Sequence, residues 1–183
     1  MAQRLEGDYK IIALDIDESS VIEANQNFNN SQWGKSLQSI KHNYLNFSLE
    51  SKIDLMVCNP PFFRNAFPSN LGHKQKAKQQ GEEFSLEELA QYSFNNLSDN
   101  GVIGLVYPAE DKRFLYDSFF KVGFHQKRVC EVYSKRSKPL SRILVEFSKS
   151  FSETKKEELV IYNDDSSYTQ QYKELTKEYY INF

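Results

Sequence analysis

The sequence predicts an α/β fold with a mostly parallel sheet, and three observations carry that expectation. Apolar runs of strand length recur at 10–17, 37–42, 52–58 and 102–108. Polar stretches with helical spacing of apolar residues separate them, which is the βαβ pattern of a parallel sheet. The chain has 183 residues, of which 39% are hydrophobic and 26% charged, so it is globular and sized for one ordinary domain.

"KIIALDID" (10–17) is a short apolar strand that ends in acids. The next stretch, 18–33, reads as a helix with Val21, Ile22, Ala24 and Phe28 as a partial apolar stripe, and Asp17 suits its N-cap. "LQSIKH" (37–42) is a weaker strand, and "KIDLMVC" (52–58) is a near-continuous apolar run of the kind covered on both faces. After a polar loop, Ser85-Leu86-Glu87-Glu88 is a capping box that opens a helix lined by Leu86, Leu89, Ala90 and Leu97. Asn100-Gly101 is the expected stop of that helix. "VIGLVYP" (102–108) is another buried strand, and 111–122 an amphipathic helix. Residues 124–134 and 141–148 alternate as two neighbouring strands, "ELVIY" (158–162) is an edge strand, and Tyr168, Tyr172, Leu175 and Tyr179 fall at helical spacing.

Net charge is −2, so any nucleic-acid contact must rest on local positive charge. Between Lys112 and Arg142 stand nine Lys/Arg against only Asp117 and Glu131, which fits an RNA partner as well as a solvated face. No apolar run approaches the roughly 20 residues of a membrane span. Cys58 and Cys130 have no metal spacing and no disulfide framework, and fit reduced core thiols in a cytoplasmic protein.

The chemistry is concentrated where strand 52–58 ends, in "NPPFF" (59–63). The Asn59 side chain offers a carbonyl acceptor and the peptide carbonyl of Pro60 a second, while proline adds no competing donor. Two fixed acceptors suit one planar amino group, such as the N6 of adenine, and a ring at Phe62 can stack on a flat substrate. Two prolines keep the turn rigid and the acceptors aimed. The plainer reading is a proline-stopped strand with two packing phenylalanines. In a parallel sheet ligands sit at the C-terminal strand ends, and a second such end carries Asp15 and Asp17.

With these residues the chain resembles a class I, S-adenosylmethionine-dependent methyltransferase of the amino-methylating group, whose signature is (D/N/S)PP(Y/F/W). More narrowly it resembles the tRNA1(Val) adenine-N6 methyltransferase family. "ALDID", "NFNNSQWGKSLQ", "IDLMVCNPPFF" and "FSLEELAQYSFNNLSDNGVIGLVYP" carry that likeness, and "KPLSRILVEFS" and "YTQQYKELTKEYY" extend it to the C-terminal part. The resemblance implies a Rossmann-like sheet, mostly parallel with an antiparallel C-terminal hairpin. It implies one domain over 1–183, with 149–183 as a C-terminal extension. Family members open with a strand and a D-x-G-x-G-x-G loop, and neither motif occurs here, so the chain is expected to lack the first strand and glycine-rich loop. Strands 10–16 and 53–58 should then share no hydrogen-bond ladder, and the chain alone should be poorly soluble and bind cofactor weakly.

The resemblance assigns catalysis to Asn59, Pro60 and Phe62, and cofactor contacts to Asp15, Asn43 and Asn59. Asp15 matches the acid that holds the ribose hydroxyls, with a helix N-terminal acid as the alternative. Asn43 stands where the family has an Asp toward the cofactor adenine, and Phe47 either packs on that adenine or is core. Substrate contacts fall to Pro61, Phe63, Arg64, Lys74, Lys76 and Lys78, in a loop where Ala77-Lys78-Gln79 replaces the family's Ala-Arg-His. The implied partner is tRNA, with adenine 37 as target and the full-length enzyme monomeric. No metal is needed for direct transfer to nitrogen, and His42, His73 and His125 are expected to be structural or surface residues. Release-factor glutamine methyltransferases favour NPPY, and ribosomal guanine-N2 methyltransferases NPPF followed by His; Phe62-Phe63 fits neither well. An inactive remnant that binds RNA weakly is the remaining alternative.

Overall fold

The computed structural model describes residues 1–60 and 84–180, arranged as two compact units, Met1–Glu50 and Ser51–Phe183.

In the first unit, β1 (Ile11–Asp15) pairs in parallel with β2 (Leu37–Lys41) through α1 (Glu18–Asn29). Asp17 caps α1, its carboxylate accepting from Ser20 N–H at 2.9 Å, in line with its position in the sequence. The helix stops at Asn29, short of the expected residue 33, and a turn through Ser31 and Gly34 carries the chain to β2. Gly34 is required there, because a Cβ would stand 2.8 Å from the Phe28 carbonyl oxygen.

The second unit is a five-stranded sheet in the order β3-β4-β6-β5-β7. Its strands are β3 (Ile53–Cys58), β4 (Leu97–Pro108), β5 (His125–Lys135), β6 (Leu140–Ser148) and β7 (Lys155–Tyr162). β3 and β4 are parallel, β6 runs against both β4 and β5, and β7 is parallel to β5. With the β1–β2 pair this is the mostly parallel arrangement with an antiparallel C-terminal hairpin that was expected. β1 and β3 belong to different sheets and share no ladder.

Helices α2 (Leu86–Asn96) and α3 (Lys112–Val122) supply the core of this unit. Ser85 caps α2, its hydroxyl accepting from Glu88 N–H at 3.2 Å. Ile103, Leu105, Ile143, Val145 and Phe147 are buried along one face of β4 and β6. Phe119 stacks on Phe147 at 4.5 Å between ring centres, and Phe124 closes on Phe119 at 5.4 Å. Such pairs add about 0.5–1.5 kcal/mol each beyond their buried area. Gly123 ends α3 with φ 105°, a conformation that favours glycine.

Three expectations are corrected here. Asn100-Gly101 does not end a helix: α2 stops at Asn96 and β4 already runs from Leu97. Strand 52–58 is not covered on both faces, since Leu55 is 42% and Val57 58% exposed. An apolar run alone cannot say whether one face or two are packed. The terminal helix α4 (Gln170–Thr176) is shorter than the tyrosine spacing implied, and Tyr168 and Tyr179 lie outside it. Tyr168 instead stacks between Tyr162 at 5.0 Å and Tyr172 at 5.1 Å.

The second face of the sheet carries an open groove of about 810 Å³ between Val57, Val106, Leu144 and Cys130 on the strands and Leu175 on α4. Arg128 crosses it, paired with Glu157 at 2.6 Å and Glu146 at 3.4 Å.

Candidate active site

β3 delivers the motif. Cys58 sits opposite Leu105 of β4, so the parallel ladder holds the strand to its last residue and releases the chain at Asn59. Asn59 is exposed and Pro60 is among the fully buried side chains. The buried ring fixes the backbone next to Asn59, whose side chain stays open to solvent. Just before it, burial pushes the Cys58 thiol up to about 11. A thiol held neutral is no nucleophile. Both cysteines are free and half-buried.

In the first unit β1 and β2 end side by side, with Asp15 in register with Lys41. The Asp15 carboxylate is exposed, and its Oδ1 accepts from Asp17 N–H at 2.8 Å. Its backbone carbonyl accepts from His42 N–H at 2.9 Å. Lys41 is turned to Glu18 at 2.9 Å. Asn43 follows immediately, so this strand edge brings Asp15 and Asn43 together. Asn43 Oδ1 accepts from Leu45 N–H at 2.9 Å. Phe47 meets the His42 ring edge-on at 5.4 Å, and His42 Nδ1 lies 2.7 Å from the Asn43 carbonyl, so this histidine is tied into the local turn. His125 packs edge-on against Phe151 at 5.6 Å.

Pro61, Phe62, Phe63, Arg64, His73, Lys74, Lys76 and Lys78 lie outside the described residues. Among the described residues no group of three or more His, Cys, Asp or Glu is placed to hold a metal, and no helix is long and apolar enough to cross a membrane.

Composition counts the cations of 112–142 but cannot place them. The sheet order does: Arg142 stands opposite Pro108, at the same edge at which β3 releases Asn59. The signal was present in "SKRSKPLSR" (134–142), a turn with four cations and no acid.

Comparison with known proteins shows the family to which the chain belongs. The UPF0020 family model, described as an RMKL-like methyltransferase domain, matches residues 1–84. A tRNA1(Val) (adenine(37)-N6)-methyltransferase of Photobacterium profundum is 31% identical over 187 residues, covering 99% of this chain and 77% of that protein. The chain belongs to the tRNA1(Val) (adenine(37)-N6)-methyltransferase family. The Haemophilus influenzae protein of that name is 30% identical over 185 residues, covering 100% of this chain and 78% of its own.

Among solved structures, a predicted O-methyltransferase of Agrobacterium tumefaciens superposes with a TM-score of 0.65 at 10% identity, over 92% of this chain and 77% of that one. A putative RNA methyltransferase of Pyrococcus horikoshii gives 0.51 at 20% identity, over 80% and 65%. At such identities the likeness establishes the fold, that of the class I methyltransferases, and membership of the family rests on the sequence relatives.

Proposed function

We propose that this chain transfers a methyl group from S-adenosylmethionine to the N6 amino group of adenine 37 in tRNA1(Val), the activity named for its relatives. The observation that carries the reading is Asn59, an exposed amide released at the C-terminal end of a sheet strand and backed by the buried Pro60.

The cofactor supplies an electrophilic sulfonium methyl. Asp15 is suited to its ribose hydroxyls, being an exposed carboxylate at a parallel strand end with one oxygen already fixed by the Asp17 amide. Asn43 offers an amide carbonyl, an acceptor of the kind an adenine amino group needs. The target adenine leaves its stack, a step that lets an enzyme reach a base edge. Asn59 Oδ1 and the Pro60 carbonyl then accept the two N6 hydrogens and keep electron density on the nitrogen. Phe62 offers a ring to the base face, and Pro61, Phe63, Arg64, Lys74, Lys76 and Lys78 contact base and phosphates. With the cofactor bound, the methyl would pass to nitrogen as its bond to sulfur breaks, the electron pair staying with sulfur in the departing neutral S-adenosylhomocysteine, and the surplus proton on nitrogen would go to water without a strong general base. We read both units as parts of one methyltransferase domain of an enzyme that is monomeric at full length and works in the cytoplasm where tRNA is found.

Incubation of the chain with S-adenosylmethionine and tRNA1(Val), followed by mass analysis of the nucleosides, tests this. N6-methyladenosine at position 37 is expected. Methylguanosine in the RNA, or methylglutamine in a release factor offered in its place, overturns the adenine assignment.

A further inference from the structure

β1 and β2 run parallel and in register, so Asp15 and Lys41 are direct neighbours on adjacent strands. Such backbones lie about 4.8 Å apart, and paired residues project to the same face of the sheet. A lysine placed there has the reach to close on the carboxylate beside it. Lys41 does otherwise: its Nζ donates to Glu18 Oε2 at 2.9 Å. Among the described residues Asp15 makes no ion pair, and its side chain accepts only from the Asp17 N–H, at 2.8 Å.

Three acids, Asp15, Asp17 and Glu18, surround this one ammonium in the sequence of the strand end and the helix start. Local geometry decides between them. Asp17 Oδ2 takes the N–H and the hydroxyl of Ser20 at 2.9 and 3.0 Å, and the hydroxyl of Ser19 as well. Glu18 has the longer side chain and stands in the first turn of α1, where the amides of the helix end favour a negative charge. Lys41 and Glu18 are 54% and 69% exposed, so their pair adds little to the stability of the unit. Its effect falls on the neighbouring carboxylate. A lysine carries three donors and no acceptor. Resting on Asp15, it would take up the lone pairs that two adjacent hydroxyls need.

We propose that Glu18 is a positioning residue, which holds Lys41 aside and so keeps the Asp15 carboxylate available to the ribose hydroxyls of S-adenosylmethionine. The inference rests on the reading of Asp15 as the ribose contact and adds what governs it. Glu18 touches neither cofactor nor substrate in this role and acts only through where Lys41 points.

The test is the affinity of the 183-residue chain for S-adenosylhomocysteine and for its 2′,3′-dideoxy analogue. Saturation-transfer NMR reads both at about 50 mM salt, where exposed charges are weakly screened. The ratio of the two dissociation constants reports the hydroxyl contact and does not respond to a general loosening of the site. The parent should favour the hydroxylated ligand by about tenfold or more, as hydrogen bonds to a charged group do. Asp15→Ala should erase that preference. Glu18→Gln should lower it by about two- to fivefold, the effect of one exposed ion pair. Lys41→Met should leave the parent ratio unchanged and should restore it in Glu18→Gln/Lys41→Met. A parent-like ratio in Glu18→Gln, or a lowered ratio that Lys41→Met does not restore, overturns the role of Glu18 alone. A parent without the preference, or Asp15→Ala that keeps it, overturns the ribose contact and this proposal together. Methyl transfer is not read, so the adenine assignment stands or falls separately, on the nucleoside analysis.

Discussion

Asn25 grips both backbone groups of Ser39. Its Nδ2 donates to the Ser39 carbonyl at 2.9 Å, and its Oδ1 accepts from the Ser39 N–H at 2.8 Å. One side chain of α1 thereby does for the middle of β2 what a neighbouring strand would do. Ser39 is 6% exposed, so no water stands ready to replace the amide.

Asn25→Ala should leave two poorly hydrated backbone groups without partners, each costing about 1–3 kcal/mol. Amide exchange at Ser39 should accelerate accordingly, and the thermal midpoint should fall. Asn25→Asp keeps the acceptor, loses the donor and should fall between. Unchanged exchange at Ser39 in the alanine variant would count against the grip.

Asn59→Ala should abolish most methyl transfer and leave the fold intact, because the side chain is exposed and past the end of the ladder. Losing one aimed hydrogen-bonding group in an active site typically lowers kcat by about 10²–10³. Single-turnover transfer alongside circular dichroism separates the two effects. Parent-like transfer would remove Asn59 from the chemistry.

Gly101 and Gly104 should answer differently to the same substitution. A Cβ at Gly101 would stand 2.8 Å from the Ile53 carbonyl oxygen, whereas the nearest atom at Gly104 is the Met56 carbonyl oxygen at 3.9 Å. Gly101→Ala forces apart β3 and β4 at a cost of about 1–3 kcal/mol. Gly104→Ala should be neutral or slightly stabilising, since alanine loses less entropy in a strand. Melting curves of the two variants decide this, and equal midpoints would contradict the close approach at Gly101.

The Cys58 thiol should be slow to label in the folded protein. Its pKa rises from 9.0 to about 11 because burial disfavours the thiolate. Below pH 9 this leaves about a hundredfold less thiolate than an exposed cysteine carries. The folded state also keeps its proton where the unfolded state has lost it. This contribution to stability is therefore whole below pH 9 and declines as pH rises from 9 toward 11. Labelling in native buffer as fast as in denaturant, or a melting point that rises over that interval, would overturn the burial argument.

β3 is the outer strand of the five-stranded sheet, and Val57 is 58% exposed on it. An apolar outer strand templates pairing with another chain. Val57→Lys should reduce self-association in light scattering at equal protein concentration. A parent chain that already scatters as a monomer would refute this and, with it, the expectation of poor solubility.

The strands were legible because their apolar runs stand apart from polar helices, and of the motif at 59–63 only Asn59 and Pro60 are among the described residues. The start of β4 was hidden. Asn100-Gly101 is a strong turn signal by itself, but here glycine serves the close packing of β3 on β4, an approach between residues 48 apart in sequence (53 to 101) that no local pattern reports. The exposure of Leu55 and Val57 was hidden for the same reason: covering a strand face is a decision made by other elements. Sequence named Asp15 and Asn43 in the first unit and Asn59 in the second as candidates, and only topology could bring Arg142 to the edge where β3 ends. The reach of α4 was misjudged because tyrosines at helical spacing can stack from a loop, as Tyr168 does.

The position of β6 has a consequence for how the chain is made. β5 leaves the ribosome first, yet it borders only β6 and β7 and has no place beside β4. It must wait for Leu140–Ser148 to emerge, fold back across the short connection after Lys135, and enter as one half of a hairpin with the later strand facing inward. Hairpins close in about 1–10 µs, far faster than residues are added at about 5–20 per second. Assembly is thus paced by synthesis, and a nascent chain halted before Leu140 would hold β4 without its second neighbour. The nine residues of β6 are the point at which the growing polypeptide commits to this sheet, and β7 then closes it from the outside.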